Sequence, residues 1–118
     1  MLETKIETKI ETKIVKYAKS QNVLSFKMNS VTSKGLPDRM FISKESIFFI
    51  EFKRLGAKPT KLQSYMISQL KDYNCKVYVI NDIEEGKRII DRYSNEIYES
   101  DWESSVIIKN VYVKDGIG

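Results

Sequence analysis

Asp38, Glu51 and Lys53 are the residues of this chain whose types and spacing admit catalysis. Asp38 closes the turn Gly35-Leu36-Pro37-Asp38, and Glu51-Phe52-Lys53 follows directly on the apolar run Ile47-Phe48-Phe49-Ile50. Side chains two apart on an extended strand project to one face, so Glu51 and Lys53 share a side. Arg39 to Ile42 and Ser46 to Phe52 read as two strands joined by the polar turn Ser43-Lys44-Glu45, and an antiparallel hairpin returns Glu51 toward Asp38. Two carboxylates at one rim suit a hard divalent cation such as Mg²⁺, which takes few protein oxygens and keeps several waters. The backbone carbonyl of Phe52 is a candidate further ligand. Such an ion acidifies water and neutralises charge growing on a phosphate, while the ammonium beside it orients the water or stabilises that charge.

A plainer reading of Glu51 and Lys53 is a solvated ion pair, which stabilises a fold by little. The apolar run before Glu51 argues against it, because it sets the carboxylate close to a core.

Composition narrows the chemistry further. Histidine is absent and Cys75 is the one cysteine. Serine–histidine and cysteine–histidine catalysis, an internal disulfide and a cysteine-rich zinc site are therefore excluded. Cys75 reads as a packed core thiol. Residues 1–60 carry twelve Lys/Arg against six Asp/Glu, and residues 61–118 carry eight against ten. The basic first half suits a polyanionic partner. Lys34, Arg39, Arg54, Lys58 and Lys61 surround the catalytic candidates in sequence and would grip a phosphate backbone without reading bases.

At 118 residues the chain is read as one domain, residues 1–118. The motif Glu-Thr-Lys-Ile occurs three times in residues 3–14, and Leu2, Ile6, Ile10 and Ile14 recur near the helical period, extended by Tyr17 and Ala18. Residues 2–20 are thus expected to form an amphipathic helix, stopped at Asn22. Val23 to Met28 reads as a strand, and Asn29 to Pro37 as a loop. Thr60 and Gln63 form a capping-box signature ahead of a helix with a stripe of Leu62, Met66, Leu70 and Tyr73. Lys76 to Ile80 is expected as a strand parallel to its predecessor, because a helix intervenes. Asp82 and Glu85 cap a last helix whose stripe is Ile83, Ile90, Tyr93 and Ile97. The segment 98–118 is a less defined extension in which Val106 to Val113 could add a strand. A mixed α/β sheet flanked by helices follows. The apolar runs are too short to span a bilayer, and without a leader-like N-terminal stretch a cytoplasmic protein is expected, bacterial or phage-encoded in a host.

The ordered series Glu11, Lys27, Gly35-Leu36-Pro37-Asp38-Arg39, Phe49-Ile50-Glu51-Phe52-Lys53, Gly56 and Pro59-Thr60 with Gln63 resembles the VRR-Nuc branch of the PD-(D/E)xK nuclease superfamily, over roughly residues 6–90. The resemblance implies a restriction-endonuclease-like core and a Mg²⁺- or Mn²⁺-dependent endonuclease. It makes Asp38 and Glu51 metal ligands and Lys53 the catalytic lysine. Glu11 would complete the acidic cluster, directly or through water; a solvated helix face is the alternative, since Glu3 and Glu7 are its chemical equivalents. Gln63 matches a position that supports the site, and Lys27 either contacts phosphate or extends into solvent from a strand end. Stand-alone members of this size resemble phage and bacterial homodimers that cleave branched DNA, notably four-way (Holliday) junctions. Cleavage of flaps, nicks or specific duplex sites, or DNA binding without cleavage, remain the alternatives.

Overall fold

The four-residue apolar spacing of the N-terminal segment forms helix α1, Leu2–Ser20, in a computed structural model that describes residues 2–28 and 34–95. Ile10, Ile14 and Ala18 are buried, while Ile6 is 40% exposed, so the stripe enters the core only from its middle onward. Asn22 takes a left-handed φ of 62°, a conformation asparagine tolerates, and the Val23 N–H turns back to the Ala18 carbonyl at 2.9 Å.

Four strands follow the expected order, though the first is shorter than its apolar segment: β1 Leu24–Lys27, β2 Arg39–Ile42, β3 Ile47–Phe52 and β4 Lys76–Ile80. They lie in the sheet in sequence order, with β1–β2 and β2–β3 antiparallel and β3–β4 parallel. Helix α2, Lys61–Asp72, makes the crossover between the parallel pair, and α3, Ile83–Asn95, ends the described chain.

Period-two alternation sends Phe41, Phe48, Ile50, Phe52 and Ile80 into one core with the buried residues of α1 and with Ile89, Ile90 and Tyr93 of α3. The Phe48 ring stacks on Tyr93 at 4.3 Å between centroids and on Phe41 at 5.4 Å. Gly86 sits where α3 meets α1; a Cβ there would lie 2.5 Å from Ile14 Cδ1.

Two expectations need correction. In α2 the buried residue is Ile67, whereas Leu62 and Tyr73 are 49% and 79% exposed. Among the strands α2 packs chiefly on β4, so one strand's width of sheet covers it and its outer stripe meets solvent. Cys75 is half-buried rather than part of the core. The middle of α1 is used inside the protomer, which removes Ile10 and Ile14 from any surface for a second copy. Ile97, the acidic segment around Trp102 and the expected strand from Val106 lie outside the described residues. Among those described, no helix is long and apolar enough to cross a membrane.

Candidate active site

Arg39 pairs with Ile50 in the β2–β3 register, so the residues just beyond each, Asp38 and Glu51, face each other at the end of the hairpin. The Asp38 backbone is fixed there by the Met28 N–H, which donates to its carbonyl at 2.9 Å. Its carboxylate reaches across the hairpin, and Oδ2 accepts the Phe52 N–H at 2.8 Å. The buried residue before it, Pro37, holds the turn against the body of the protein.

Glu51 is 2% exposed, an unusual place for a carboxylate. Its Oε2 accepts from Gln63 Nε2 at 3.0 Å and lies 3.4 Å from Lys53 Nζ. Lys53 is itself largely buried and is anchored through its backbone N–H to the Ile80 carbonyl at 2.8 Å. The sheet thus brings Asp38, Glu51 and Lys53 together, and α2 delivers Gln63 to the same carboxylate. Gln63 also completes the capping box of α2, with Thr60 N–H donating to its Oε1 at 2.8 Å. One side chain thus makes both contacts.

Electrostatics mark the pair. Burial, and then the negative charge of Asp38, push the Glu51 carboxyl up to about 7 against the pull of Lys53. Burial also raises Asp38, reinforced by the charges of Glu11 and Glu7 and opposed by the Phe52 N–H and Lys53. A buried carboxylate and a half-buried one that repel each other and share one ammonium make a site short of positive charge. That deficit and the hard oxygen donors fit a divalent cation. Among the described residues no group of three His, Cys, Asp or Glu gathers, so the protein offers a pair of carboxylates rather than a cage. A pair suits Mg²⁺, which retains water in most protein sites.

Glu11 is placed elsewhere than a three-carboxylate cluster. Its Oε2 accepts from Arg39 Nε at 2.7 Å, and Arg39 Nη1 also donates to Ser25 Oγ at 3.3 Å. The guanidinium is therefore committed to the junction of α1, β1 and β2, with 20% of its side chain exposed. Glu7, the equivalent of Glu11 one repeat earlier, accepts the Arg54 N–H at 3.0 Å just after Lys53. Its signal was the helical offset of four from Glu11, which puts both on one face. Ser25 carried no signal beyond its place on a strand. Lys27, Lys34, Lys58 and Lys61 are exposed, and Arg54 is half-buried. Tyr65 is 59% exposed on the surface of α2.

The architecture is similar to that of a solved structure described as "VRR_NUC domain", with a TM-score of 0.67 and 19% identity, covering 75% of this chain and 97% of that one. With a TM-score of 0.67 and so low an identity, the likeness shows the fold alone. The sequence matches no family model. Neither does it match a curated protein.

Proposed function

We propose, from the VRR_NUC fold and the pairing of Asp38 with buried Glu51, that this chain is a nuclease that hydrolyses DNA phosphodiesters with Mg²⁺ or Mn²⁺. The observation that carries the reading is Glu51: a carboxylate buried beside a second carboxylate, with Lys53 3.4 Å away. A structural ion pair has no need of Asp38 in the same place, and a core position has no need of either charge.

In this reading Asp38, Glu51 and the Phe52 carbonyl hold the ion. When bound, it supplies Lewis acidity toward a phosphate oxygen and acidifies water. Lys53 keeps an ammonium where negative charge develops on the scissile phosphate, in surroundings dry enough to strengthen the interaction. Gln63 holds the Glu51 carboxylate in one orientation, a positioning role that matters because small displacements cost large factors in rate. Exposed Lys27, Lys34, Lys58 and Lys61 attract the backbone around the cut. Arg39 is assigned to positioning through Glu11 and Ser25 rather than to open phosphate contact. Glu11 acts on Asp38 through charge, or through water.

The preferred substrate is branched DNA, cut on opposing strands by a two-fold dimer. The test is cleavage of matched linear, flap and four-way-junction DNA with Mg²⁺ or Mn²⁺, alongside sedimentation at assay concentration. Cleavage that needs the ion, favours branched DNA and disappears in Asp38→Ala and Lys53→Ala is the expected result. Undiminished cleavage by Asp38→Ala would remove the site assignment, and salt-sensitive binding without any cleavage would make the chain a binding module. A monomer would undercut paired-strand cutting.

A further inference from the structure

The threefold Glu-Thr-Lys-Ile repeat does more than build a core. Each repeat advances four residues, close to the 3.6 of a helical turn, so every residue type keeps its own stripe along α1. Ile10 and Ile14 enter the core. Glu7 and Glu11 face the sheet rim, where they take the Arg54 N–H and the Arg39 guanidinium. Lys5, Lys9 and Lys13 form a third, exposed stripe, continued by exposed Lys16. Lining up like charges in this way is mildly unfavourable to the helix and concentrates positive charge along one exposed face.

Toward the C-terminal end of α1 the stripe meets α3 in a cleft of about 310 Å³ lined by Lys13, Lys16, Tyr17, Ser20 and Lys87. Lys87 Nζ stands 5.2 Å from the centre of the Tyr17 ring, whose hydroxyl donates to Asp91 Oδ1 at 2.6 Å. Asp91 and Glu84 are the acids that act on the Tyr17 phenol, and neither lines the cleft. Three ammonium groups therefore border a space with room for a phosphodiester group, and among the described residues no carboxylate lines it.

We infer that this cleft and the lysine stripe bind the phosphate backbone of a second duplex arm of a branched DNA substrate. The choice of DNA rests on the nuclease reading; the choice of a second arm rests on geometry. Lys13 is two residues from Glu11 and six from Glu7, hence roughly 160° and 120° around the helix from the acids that face the sheet rim. From Glu7 to Ser20 the helix also rises roughly 20 Å. The stripe and the Asp38–Glu51 rim are thus offset both around and along α1, as suits an arm that leaves a junction at an angle to the one being cut.

Binding with Ca²⁺ in place of the cleaving ion tests this, on a four-way junction and on a linear duplex across a range of salt. Lys13→Gln/Lys16→Gln is compared with Lys44→Gln/Lys71→Gln, which removes the same charge elsewhere. The α1 pair should weaken junction binding about tenfold and flatten its log–log salt slope by roughly 1.8, for two phosphates lost, while linear duplex binding stays within about twofold. The control pair should change neither. An unchanged junction slope, an equal loss on both DNAs, or no DNA binding by any form would overturn the inference. Absence of cleavage with the junction-specific slope change intact would remove the nuclease reading alone.

Discussion

Gln63 ties the cap of α2 to the carboxylate of Glu51: Oε1 accepts the Thr60 N–H at 2.8 Å, and Nε2 donates to Glu51 Oε2 at 3.0 Å. One amide thereby fixes where the helix starts and which way a buried acid points. Helix and strand are otherwise joined on this side chiefly by the packing of α2 on β4.

The two halves of that amide can be separated. Gln63→Ala removes both bonds and should lower the unfolding free energy by about 1–2 kcal/mol, the usual worth of a cap and a hydrogen bond to a charged group. Gln63→Glu keeps the acceptor for Thr60 but turns a second carboxylate on Glu51. It should retain α2 by circular dichroism while cleavage falls more than tenfold. Full activity in Gln63→Glu would reduce Gln63 to a cap.

Stability without metal should fall as pH rises. The folded protein holds the Glu51 proton up to about 7, whereas the unfolded chain releases it near 4.5. Between those values the native state binds more protons, so raising pH favours unfolding. The loss amounts to about 3 kcal/mol and is complete above the folded value, with Asp38 adding in the same sense. Urea melts in EDTA at pH 5 and pH 8 measure it. Glu51→Gln should flatten most of the dependence, and Mg²⁺ should restore stability at pH 8. A metal-free protein more stable at pH 8 than at pH 5 contradicts the pairing of Asp38 with buried Glu51.

Arg39 lies beside the site in sequence, yet its guanidinium is held by Glu11 and Ser25. A double-mutant cycle of Glu11→Gln and Arg39→Gln should return a coupling energy of about 1–3 kcal/mol in stability. Arg39→Gln should leave the salt slope of DNA binding within experimental error, since no phosphate contact is lost. A slope reduced by a full phosphate would return Arg39 to the DNA-binding set.

The hairpin was legible in the sequence because alternation, turn residues and the Gly35–Asp38 motif all agreed. With it came the meeting of Asp38, Glu51 and Lys53. The capping box disclosed Thr60 and Gln63, but the second hand of Gln63 depends on how α2 lies across the sheet, which no local pattern encodes. The same cause misplaced Leu62 and Tyr73: an apolar stripe says that a helix can bury a face, not how much sheet lies beneath it. Glu11 was singled out while its pairing with Arg39 was not, since that contact joins residues 28 apart in sequence. The repeat itself concealed a division among three faces that appears only once α1 is seen against both β3 and α3.

Gly35 is the position where the turn that carries Asp38 presses on the helix that carries Gln63. Its φ is +87°, and a Cβ there would stand 2.9 Å from both Leu62 Cγ and the Leu62 carbonyl oxygen. Gly56 has nearly the same backbone, φ +88°, but nothing within 4 Å of an added Cβ. Gly56→Ala should therefore cost only the left-handed strain, about 1–2 kcal/mol. Gly35→Ala adds a clash with backbone that cannot rotate away, for a total of about 2–4 kcal/mol. The displacement falls on Leu62, next to Gln63, so cleavage by Gly35→Ala should drop further than its folded fraction explains. Urea titration and single-turnover cleavage of the two variants side by side measure both effects. Equal stability in the two would mean that the turn and α2 are not in contact as described, and that Asp38 is held by the hairpin alone.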